Sequence, residues 1–296
     1  MREREFHYRF PGYAHAQRPG HHRGTVFGSG LEFRGYAPLV RAPDPRRIDI
    51  RATIADPLEN WQVRLYQQRA SIAVYLVADL SASMRLATKL EVLGQFAAAL
   101  AYSVHRTGDP LGVVGCDERI IPELLLPPTH SRAAGADVAA RLAAFEPSGR
   151  SAEGLLQAVD FLGSRPALVF LASDFHLPTL LLDQVLETLA AHFVVPLVLW
   201  DELRTDGEFR ALPRVGLTQL EDAESGRRRL LFVRPSLRAA WRHRFAERRA
   251  SLIQCFARHA RRPFFVGREF RPEAMTAYFF GTDLGESNSG EAAAHG

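Results

Sequence analysis

Ile72-Ala-Val-Tyr-Leu-Val-Ala-Asp79-Leu-Ser81-Ala-Ser83 is the stretch that decides the fold of this chain. Its first seven residues are apolar without alternation, which is typical of a strand buried on both faces of a parallel sheet. The run ends in a carboxylate and two serines, which predicts a polar loop at the carboxyl end of the strand. A second run, Ala167–Ala172, is equally apolar and ends in Ser173-Asp174. The two runs predict two strands of one central sheet.

Helical and strand patterns alternate on both sides of the first run. Lys89–His105 carries apolar residues at helical spacing, and Thr107-Gly-Asp-Pro110 stops it. The other predicted strands are Leu111–Cys116, Ile120–Leu126 and Phe193–Trp200, and the other predicted helices are Ala136–Phe145, Ala152–Leu162 and Thr179–His192. Such alternation predicts an α/β fold with a doubly wound, mainly parallel, Rossmann-like sheet and helices on both of its faces.

The chain divides into four segments by composition. Residues 1–69 are rich in Gly, Pro and Arg, and we expect an extended or β region there that packs on the core and contains no helix. Residues 70–200 form the α/β domain. Residues 201–283 are an α/β extension, in which a long basic helix precedes a last strand at Phe264–Val266 and a helix at Glu273–Phe280. Residues 284–296 are polar and small, which predicts a disordered tail.

The composition is that of an ordinary globular protein. Of the 296 residues, 47% are hydrophobic and 24% are charged, which does not favour disorder. Every apolar run is far shorter than a membrane helix requires. Cys116 and Cys255 lie far apart and form no CxxC pair, so we interpret both as reduced core residues. The first residues lack the apolar segment of a secretory signal, and we therefore expect a cytoplasmic protein.

Polar residues follow the two apolar strands. Asp79, Ser81 and Ser83 come directly after the first strand, and Asp174 holds the equivalent place after the other. Ligands of doubly wound sheets bind at the carboxyl ends of the strands, where the strand order reverses. Ser151 opens a predicted helix and can bring a third hydroxyl to this crevice. Two carboxylates and three hydroxyls form an all-oxygen set, which predicts a divalent metal, Mg²⁺ first with Mn²⁺ or Ca²⁺ as alternatives, and disfavours zinc.

Two plainer interpretations compete with a metal site. A D-x-S-x-S string arises by chance in roughly one chain in ten or twenty of this length. A serine near a strand end is often the N-cap of a helix, a role open to Ser83. The position of the string after an apolar strand, with Ser173-Asp174 and Ser151 at corresponding places, favours the metal site.

These motifs resemble a known family. Asp79-Leu-Ser-Ala-Ser-Met84 followed by a helix is similar to the metal-ion-dependent adhesion site of von Willebrand factor A domains. About residues 20–280 resemble the bacterial domain-of-unknown-function family fifty-eight, whose members accompany MoxR-type AAA+ ATPases. The segments that carry the resemblance are Gly28-Ser-Gly-Leu-Glu-Phe33, Asp44-Pro-Arg-Arg-Ile-Asp-Ile-Arg-Ala52, the string at Asp79, Gly108-Asp109 and Ser173-Asp174. The family has Gly-Gly-Thr where this chain has Gly149-Arg150-Ser151, which keeps a hydroxyl and places a cation beside it.

The resemblance implies a fold, a site and a partner. The fold is a sheet of von Willebrand factor A type. The implied metal ligands, or their water-bridged neighbours, are Asp79, Ser81, Ser83, Ser151 and Asp174. The implied function is a metal-dependent protein-interaction module, which acts with a MoxR-type AAA+ ATPase or its client in the maturation or assembly of a protein such as a methanol dehydrogenase.

Two other functions stay open at this stage. A metal-dependent hydrolase or phosphatase would use Asp79 as its nucleophile, but haloacid-dehalogenase-like enzymes need a second Asp where this chain has Ser81. No Walker A or G-x-G-x-x-G string follows a strand, which disfavours nucleotide binding. We therefore expect no enzymatic activity. Nucleic-acid binding through the basic helix at residues 236–262 is the second alternative.

Charge is distributed unevenly along the chain. Residues 70–225 carry 11 basic and 20 acidic side chains, whereas residues 226–262 carry 12 arginines and a single acid. No nucleic-acid motif accompanies these arginines, so we expect the basic helix to pack against or to steer an acidic protein partner, with Arg242, Arg248 and Arg249 contributing.

Two further polar groups have structural interpretations. Asp49, with Arg46, Arg47 and Arg51, is either a functional charged cluster or an ion-pair network that fixes the amino-terminal segment to the domain, and we favour the network. The His21-His22 pair lies among Gly, Pro and Arg without a companion acid or cysteine, and we interpret it as solvated loop residues rather than a metal tract.

Overall fold

The computed structural model describes residues 5–11, 19–85, 88–200, 215–221 and 228–281. The predicted tail at 284–296 lies outside the described residues. The strands are β1 (Pro19–Pro38), β2 (Gln62–Ala70), β3 (Val74–Asp79), β4 (Leu111–Cys116), β5 (Ile120–Thr129), β6 (Leu168–Ser173), β7 (Phe193–Leu199), β8 (Gly216–Glu221), β9 (Arg228–Val233) and β10 (Phe264–Val266). The helices are α1 (Ile50–Ala55), α2 (Lys89–Thr107), α3 (Arg132–Ala144), α4 (Gly154–Gln157), α5 (Thr179–Thr188), α6 (Pro235–Arg258) and α7 (Pro272–Phe280).

Six strands form the central sheet in the order β10-β7-β6-β3-β4-β5. All neighbouring pairs are parallel except β4 and β5, so the antiparallel strand lies at one edge. Numbered along the chain, these strands read 3-2-1-4-5-6 from that edge, which is the order of a doubly wound fold. The α/β prediction is confirmed. The order reverses between β3 and β6, and this reversal determines where the polar loops meet.

The sheet has a hydrophobic core on each of its faces. Alternate residues of β3 point to opposite sides, so Val74 and Leu76 join one core while Tyr75 and Val77 join the other. Helices α2, α3 and α7 cover the first face, and α4, α5 and α6 cover the second. All six residues of β3, of β4 and of β6 are buried, as the uninterrupted apolar runs predicted. Both cysteines are free and buried.

The regions outside the predicted domain contribute to the same core. The amino-terminal Phe6 lies 1% exposed against Phe96 of α2, with the ring centroids 5.9 Å apart. From the other end of the chain, β10 pairs with β7 and completes the central sheet. Strands β1 and β2 form an antiparallel pair, as do β8 and β9. Among the described residues, every helix is too short or too polar to span a lipid bilayer.

The structure corrects two expectations about helices. We expected no helix in residues 1–69, but α1 forms there because the Asp49 carboxylate accepts a hydrogen bond from Ala52 N at 3.0 Å and caps its first turn. A six-residue helix leaves no periodic pattern in the sequence. The helix expected at Ala152–Leu162 is instead the short α4 followed by a 3₁₀ turn at Ala158–Phe161.

Asp49 and His22 also differ from expectation. The Asp49 carboxylate pairs with Arg64 at 2.5 Å, whereas Arg47 pairs with Asp44, so the group is structural but its ion pairs are not the expected ones. His22 is not a solvated loop residue. It is 6% exposed, and its Nε2 lies 2.8 Å from Asp109 Oδ2, a pairing of residues 87 positions apart that no local pattern could reveal.

Asp109 is the buried group that holds the amino-terminal segment to the domain. Its Oδ2 accepts a hydrogen bond from the Tyr8 hydroxyl at 2.6 Å, and its Oδ1 accepts one from Ile72 N at 2.9 Å. Together with His22, these bonds connect three separate parts of the chain to the loop between α2 and β4. A buried acceptor with this many partners stabilises all of them, because each would otherwise be buried without a hydrogen bond.

Asp109→Asn should therefore lower the free energy of unfolding by about 2 kcal/mol or more, since the neutral amide replaces an acceptor oxygen with a donor. Urea unfolding followed by circular dichroism measures the change. Asp137→Asn is the matched control, because that carboxylate is exposed in an (i,i+4) pair with Arg141 and should contribute less than about 1 kcal/mol. Equal losses in the two variants would contradict the anchoring role of Asp109.

Candidate functional site

The candidate site is the crevice where the loops after β3 and β6 meet, at the reversal of strand order. Asp79 is the last residue of β3, and Ser173 is the last residue of β6. The Ser173 hydroxyl donates to Asp79 Oδ2 at 2.6 Å, and Ser81 N donates to Asp79 Oδ1 at 2.9 Å. Both oxygens of the Asp79 carboxylate are thus engaged. The carboxylate holds the ends of two neighbouring strands and the first turn of the loop in one arrangement.

The two serines of the string converge on each other. Ser81 Oγ and Ser83 Oγ lie 3.3 Å apart, and the two residues are 3% and 8% exposed. Residues Ala82–Arg85 form a 3₁₀ turn, which keeps these hydroxyls on one side of the loop. Ser83 lies inside this turn and does not cap α2, whose N-cap is Thr88 without a side-chain bond. The capping interpretation of Ser83 is therefore wrong.

The segment that carries Ser151 lies beside the string. Ser81 and Gly149 form a parallel β-bridge, and Ala82 N donates to Gly149 O at 2.8 Å. A Cβ on residue 149 would lie 2.4 Å from the Asp117 Cβ, so only glycine allows this approach. Ser151 follows two residues later and is half-buried, whereas the intervening Arg150 is exposed.

Asp174 is the second buried carboxylate, and its partner is the single lysine of the chain. Lys89 Nζ lies 2.5 Å from Asp174 Oδ2 and also donates to Ser83 O at 3.0 Å. His176 N donates to the other carboxylate oxygen at 3.1 Å. The Lys89 ammonium therefore connects the loop of Ser83 to the loop of Asp174 and neutralises one of the two negative charges of the crevice.

The two carboxylates have opposite pKa shifts. Burial, followed by repulsion from Asp174, raises the pKa of Asp79 to about 6, although the hydrogen bonds from Ser173 and Ser81 act in the opposite direction. Burial alone would also raise the pKa of Asp174, but the charges of Lys89 and His176 together with their hydrogen bonds hold that pKa below its ordinary value. Asp174 therefore stays ionised to a lower pH than Asp79 does.

The loop after β6 is strained at Phe175. Its φ of 51° lies in the left-handed region, which is unfavourable for a bulky residue and costs on the order of 1–3 kcal/mol. Phe175 N donates to Ser173 Oγ at 2.8 Å, and its ring packs edge-on against Phe256 of α6 at 5.1 Å. Arg248 of α6 donates to Phe175 O at 2.8 Å and also to Leu177 O. These contacts hold the strained turn, and with it the backbone directly after Asp174, in one position.

Sequence reasoning found four residues of this crevice and missed others. Asp79, Ser81, Ser83 and Asp174 are all buried around it, and the β-bridge brings the segment of Ser151 alongside. Ser173 entered the sequence analysis only as part of the Ser173-Asp174 motif, and Lys89 had no predicted role, although it is the only lysine among 37 basic residues. Arg248 was expected to steer a partner. It is instead half-buried and bonded to backbone carbonyls of the site loop.

Comparisons with known proteins place the chain in a family. The fold and crevice define an α/β protein with a doubly wound sheet and a buried polar site at the switch in strand order. The family model described as "Protein of unknown function DUF58" matches residues 43–251, and the chain belongs to this family. The match includes β3, the crevice and Arg248. No curated protein matches the chain.

Several solved structures resemble this one. The conserved hypothetical protein BatB from Bacteroides thetaiotaomicron has a TM-score of 0.44 at 12% identity, with coverage of 70% of this chain and 96% of that one. An aerotolerance-related membrane protein from Bacteroides fragilis has a TM-score of 0.42 at 14% identity, with the same coverage. A von Willebrand factor type A structure from Catenulispora acidiphila has a TM-score of 0.32 at 18% identity, covering 46% of this chain and 35% of that chain.

The Lys89–Asp174 pair allows a direct test of the electrostatics of the crevice. Lys89→Met should lower the free energy of unfolding by about 3–5 kcal/mol, because it leaves a buried carboxylate without its cation. The double variant Lys89→Met with Asp174→Leu should recover part of this loss, since both charges are then absent. Urea unfolding of the single and double variants provides the measurement.

Arg141→Met is the control for this cycle, because it breaks an exposed ion pair and should cost less than about 1 kcal/mol. If Lys89→Met cost no more than Arg141→Met, the ammonium would not be the counter-ion of Asp174 in solution.

Proposed function

We propose that the crevice binds a divalent metal ion, Mg²⁺ in the first place, and that this protein uses the ion to hold a carboxylate of another protein. The observation that carries the proposal is the pair of buried hydroxyls, Ser81 Oγ and Ser83 Oγ, which meet 3.3 Å apart beside Asp79 and Asp174. Structural serines near a strand end would be expected to cap a helix or to bond a backbone group. These two hydroxyls instead lie within hydrogen-bond distance of each other, and the Ser81 hydroxyl also bonds the Asp79 carboxylate.

The residues fit such an ion by their chemistry. Ser81, Ser83 and Ser151 would offer neutral oxygens, and Asp79 and Asp174 would offer negative charge, so the donor set contains neither sulfur nor nitrogen. When bound, the ion would supply an electrophilic coordination position for a carboxylate from outside. The protein's own contribution is to keep the hydroxyls and carboxylates in place, through the Asp79–Ser173 hydrogen bond and the β-bridge at Gly149.

Lys89 limits how strongly the crevice attracts cations. Because its ammonium already neutralises Asp174, the two carboxylates together present about one net negative charge rather than two. A site of low net charge binds a divalent ion weakly on its own and gains most from an additional carboxylate. Lys89 therefore supports a site whose occupancy depends on the partner as well as on the metal.

A binding role accounts for the geometry better than catalysis. A nucleophilic carboxylate must contact its substrate directly, whereas a carboxylate can act on a metal ion through its charge or through a bridging water. Asp79 is 1% exposed, and its two oxygens accept hydrogen bonds from Ser81 N and Ser173 Oγ, which fits the second role. We therefore propose that the protein is not an enzyme. Metal-dependent hydrolysis of a phosphate or acyl ester that is lost in Ser81→Ala would argue for a hydrolase instead.

For the partner, we propose a MoxR-type AAA+ ATPase encoded nearby, or the client protein that this ATPase helps to mature or assemble. The chain belongs to the family, and the resemblance described above implies that members of this family accompany such ATPases, which supports this choice of partner. The described part of α6 offers exposed arginines, such as Arg244, that would attract an acidic surface over a long range. This contribution would fall as salt concentration rises. Arg248 is not part of it, because it bonds to the site loop.

The metal part of the proposal predicts a stability shift. Mg²⁺ or Mn²⁺ at about a hundred times its Kd should raise the free energy of unfolding by about 2.7 kcal/mol. The double variant Ser81→Ala with Ser83→Ala should remain folded and lose the shift. Ser131→Ala is a matched control, because it removes the N-cap hydroxyl of α3, which costs about 1 kcal/mol, but should keep the metal shift. Thermal and urea unfolding with and without metal give the measurement, and no shift in the unaltered protein at millimolar metal would reject the ligand assignment.

The partner part predicts two separable components of binding. Capture of the ATPase or its client should be lost with EDTA and in Ser83→Ala, but retained in Ser131→Ala. Independently, Arg244→Glu should weaken capture and reduce its dependence on salt. Pull-down from the source cells with tagged protein, with and without EDTA, tests the first component. Equal recovery in both lanes would show that the metal site does not hold this partner.

A further inference from the structure

A second cluster of metal-ligating side chains joins α5 to the end of α6, on the sheet face that these helices cover. Asp183 lies on α5, Cys255 lies on α6, and His259 is the C-cap residue of α6. The cysteine and histidine are four residues apart, so they project from the same face of the helix one turn apart. The thiol sulfur, an imidazole nitrogen and a carboxylate oxygen all lie within 4.8 Å of one another.

Three groups converge on one carboxylate oxygen of this cluster. Asp183 Oδ1 has three groups directed at it: Cys255 Sγ at 3.2 Å, His259 Nε2 at 3.0 Å and Arg258 Nη2 at 3.0 Å. The thiol sulfur and the imidazole nitrogen therefore lie beside the same carboxylate oxygen, which is the arrangement that ligands of one ion require. Arg258 Nη2 also lies 3.0 Å from the other oxygen, Oδ2, which therefore remains available to hold the guanidinium.

We propose that Asp183, Cys255 and His259 form a site for a borderline transition metal, Zn²⁺ above all. Sulfur, nitrogen and carboxylate ligands that lie within 4.8 Å of one another suit zinc, in contrast to the all-oxygen crevice. Binding requires the Cys255 thiol to release its proton to solvent and His259 Nε2 to be unprotonated, so that both present lone pairs to the ion. Arg258 then bonds Asp183 Oδ2 from outside and orients the carboxylate.

The burial of the three residues fits a metal site with one coordination position open to solvent. Cys255 is 1% exposed, whereas the side chains of His259 and Asp183 are 20% and 26% exposed. An ion can therefore reach the ligands from solvent and keep a water as its fourth ligand. A bound ion would link α6 to α5. Because Arg248 on the same helix holds the loop of Phe175, the ion would also stabilise the arrangement beside the crevice.

Cobalt(II) provides the test, because its spectrum reports the ligands. The purified full-length protein, kept reduced, should show a thiolate-to-cobalt charge-transfer band and the visible bands of a tetrahedral ion, and equimolar Zn²⁺ should bleach both. Cys255→Ser should lose the charge-transfer band, and His259→Gln should weaken Zn²⁺ binding by about tenfold or more. Cys116→Ser is the matched control, since that buried cysteine lies in β4 on the central sheet. Asp79→Ala should keep the cobalt spectrum, which separates this site from the crevice.

Alkylation of the unaltered protein gives a second readout that does not depend on the folding of a variant. Zn²⁺ should protect Cys255 from a thiol reagent under mild denaturant and leave the reactivity of Cys116 unchanged, as peptide mass spectrometry would show. The proposal is overturned if cobalt gives no thiolate band, if the band survives Cys255→Ser, or if Zn²⁺ fails to protect Cys255.

Discussion

The hydrogen bond from Ser173 Oγ to Asp79 Oδ2, 2.6 Å long, joins the ends of β3 and β6 at the point where the strand order reverses. Parallel strands are connected through helices, so nothing in the local chain brings these two ends together. Their pairing in the sheet sets the distance, and the buried hydrogen bond then fixes the direction of the Asp79 carboxylate. Ser81 N donates to the same carboxylate, and the 3₁₀ turn that contains Ser83 starts at the next residue. The geometry of the crevice therefore follows from the topology of the sheet.

The negative charges of two buried carboxylates at neighbouring strand ends must be compensated by nearby donors or cations. The protein compensates each of the two charges in a different way. Asp79 is surrounded by hydrogen-bond donors, whereas Asp174 is paired with the Lys89 ammonium. The strained backbone of Phe175, which follows Asp174, is held in turn by Arg248 from α6. The arginines of α6 predict a basic surface, but this helix also supports the loop of the site. The carboxyl-terminal extension and the crevice are therefore in direct contact.

The sequence predicts the elements whose determinants are local. Uninterrupted apolar runs predicted β3 and β6, and the acids at the ends of these runs predicted that Asp79 and Asp174 lie close together, where their charges do repel each other. It could not predict partners that are far apart in the chain. His22 and Asp109 are 87 residues apart, and Lys89 and Asp174 are 85 apart, so neither pairing leaves a periodic or motif signal. The prediction that Arg248 steers a partner was wrong for a related reason. The sequence pattern of a polar helix is the same whether an arginine on it faces solvent or backbone carbonyls.

The central claim, that Ser81 and Ser83 hold a divalent ion for a protein partner, is tested most directly by crystallography with Mn²⁺. Anomalous scattering from crystals grown with Mn²⁺ and an acetate or peptide carboxylate should place one ion within coordination distance of both hydroxyls, with an outside carboxylate oxygen among its ligands. An ion-free crevice at millimolar Mn²⁺, with Lys89 still on Asp174 and the two hydroxyls still bonded to each other, would contradict the account.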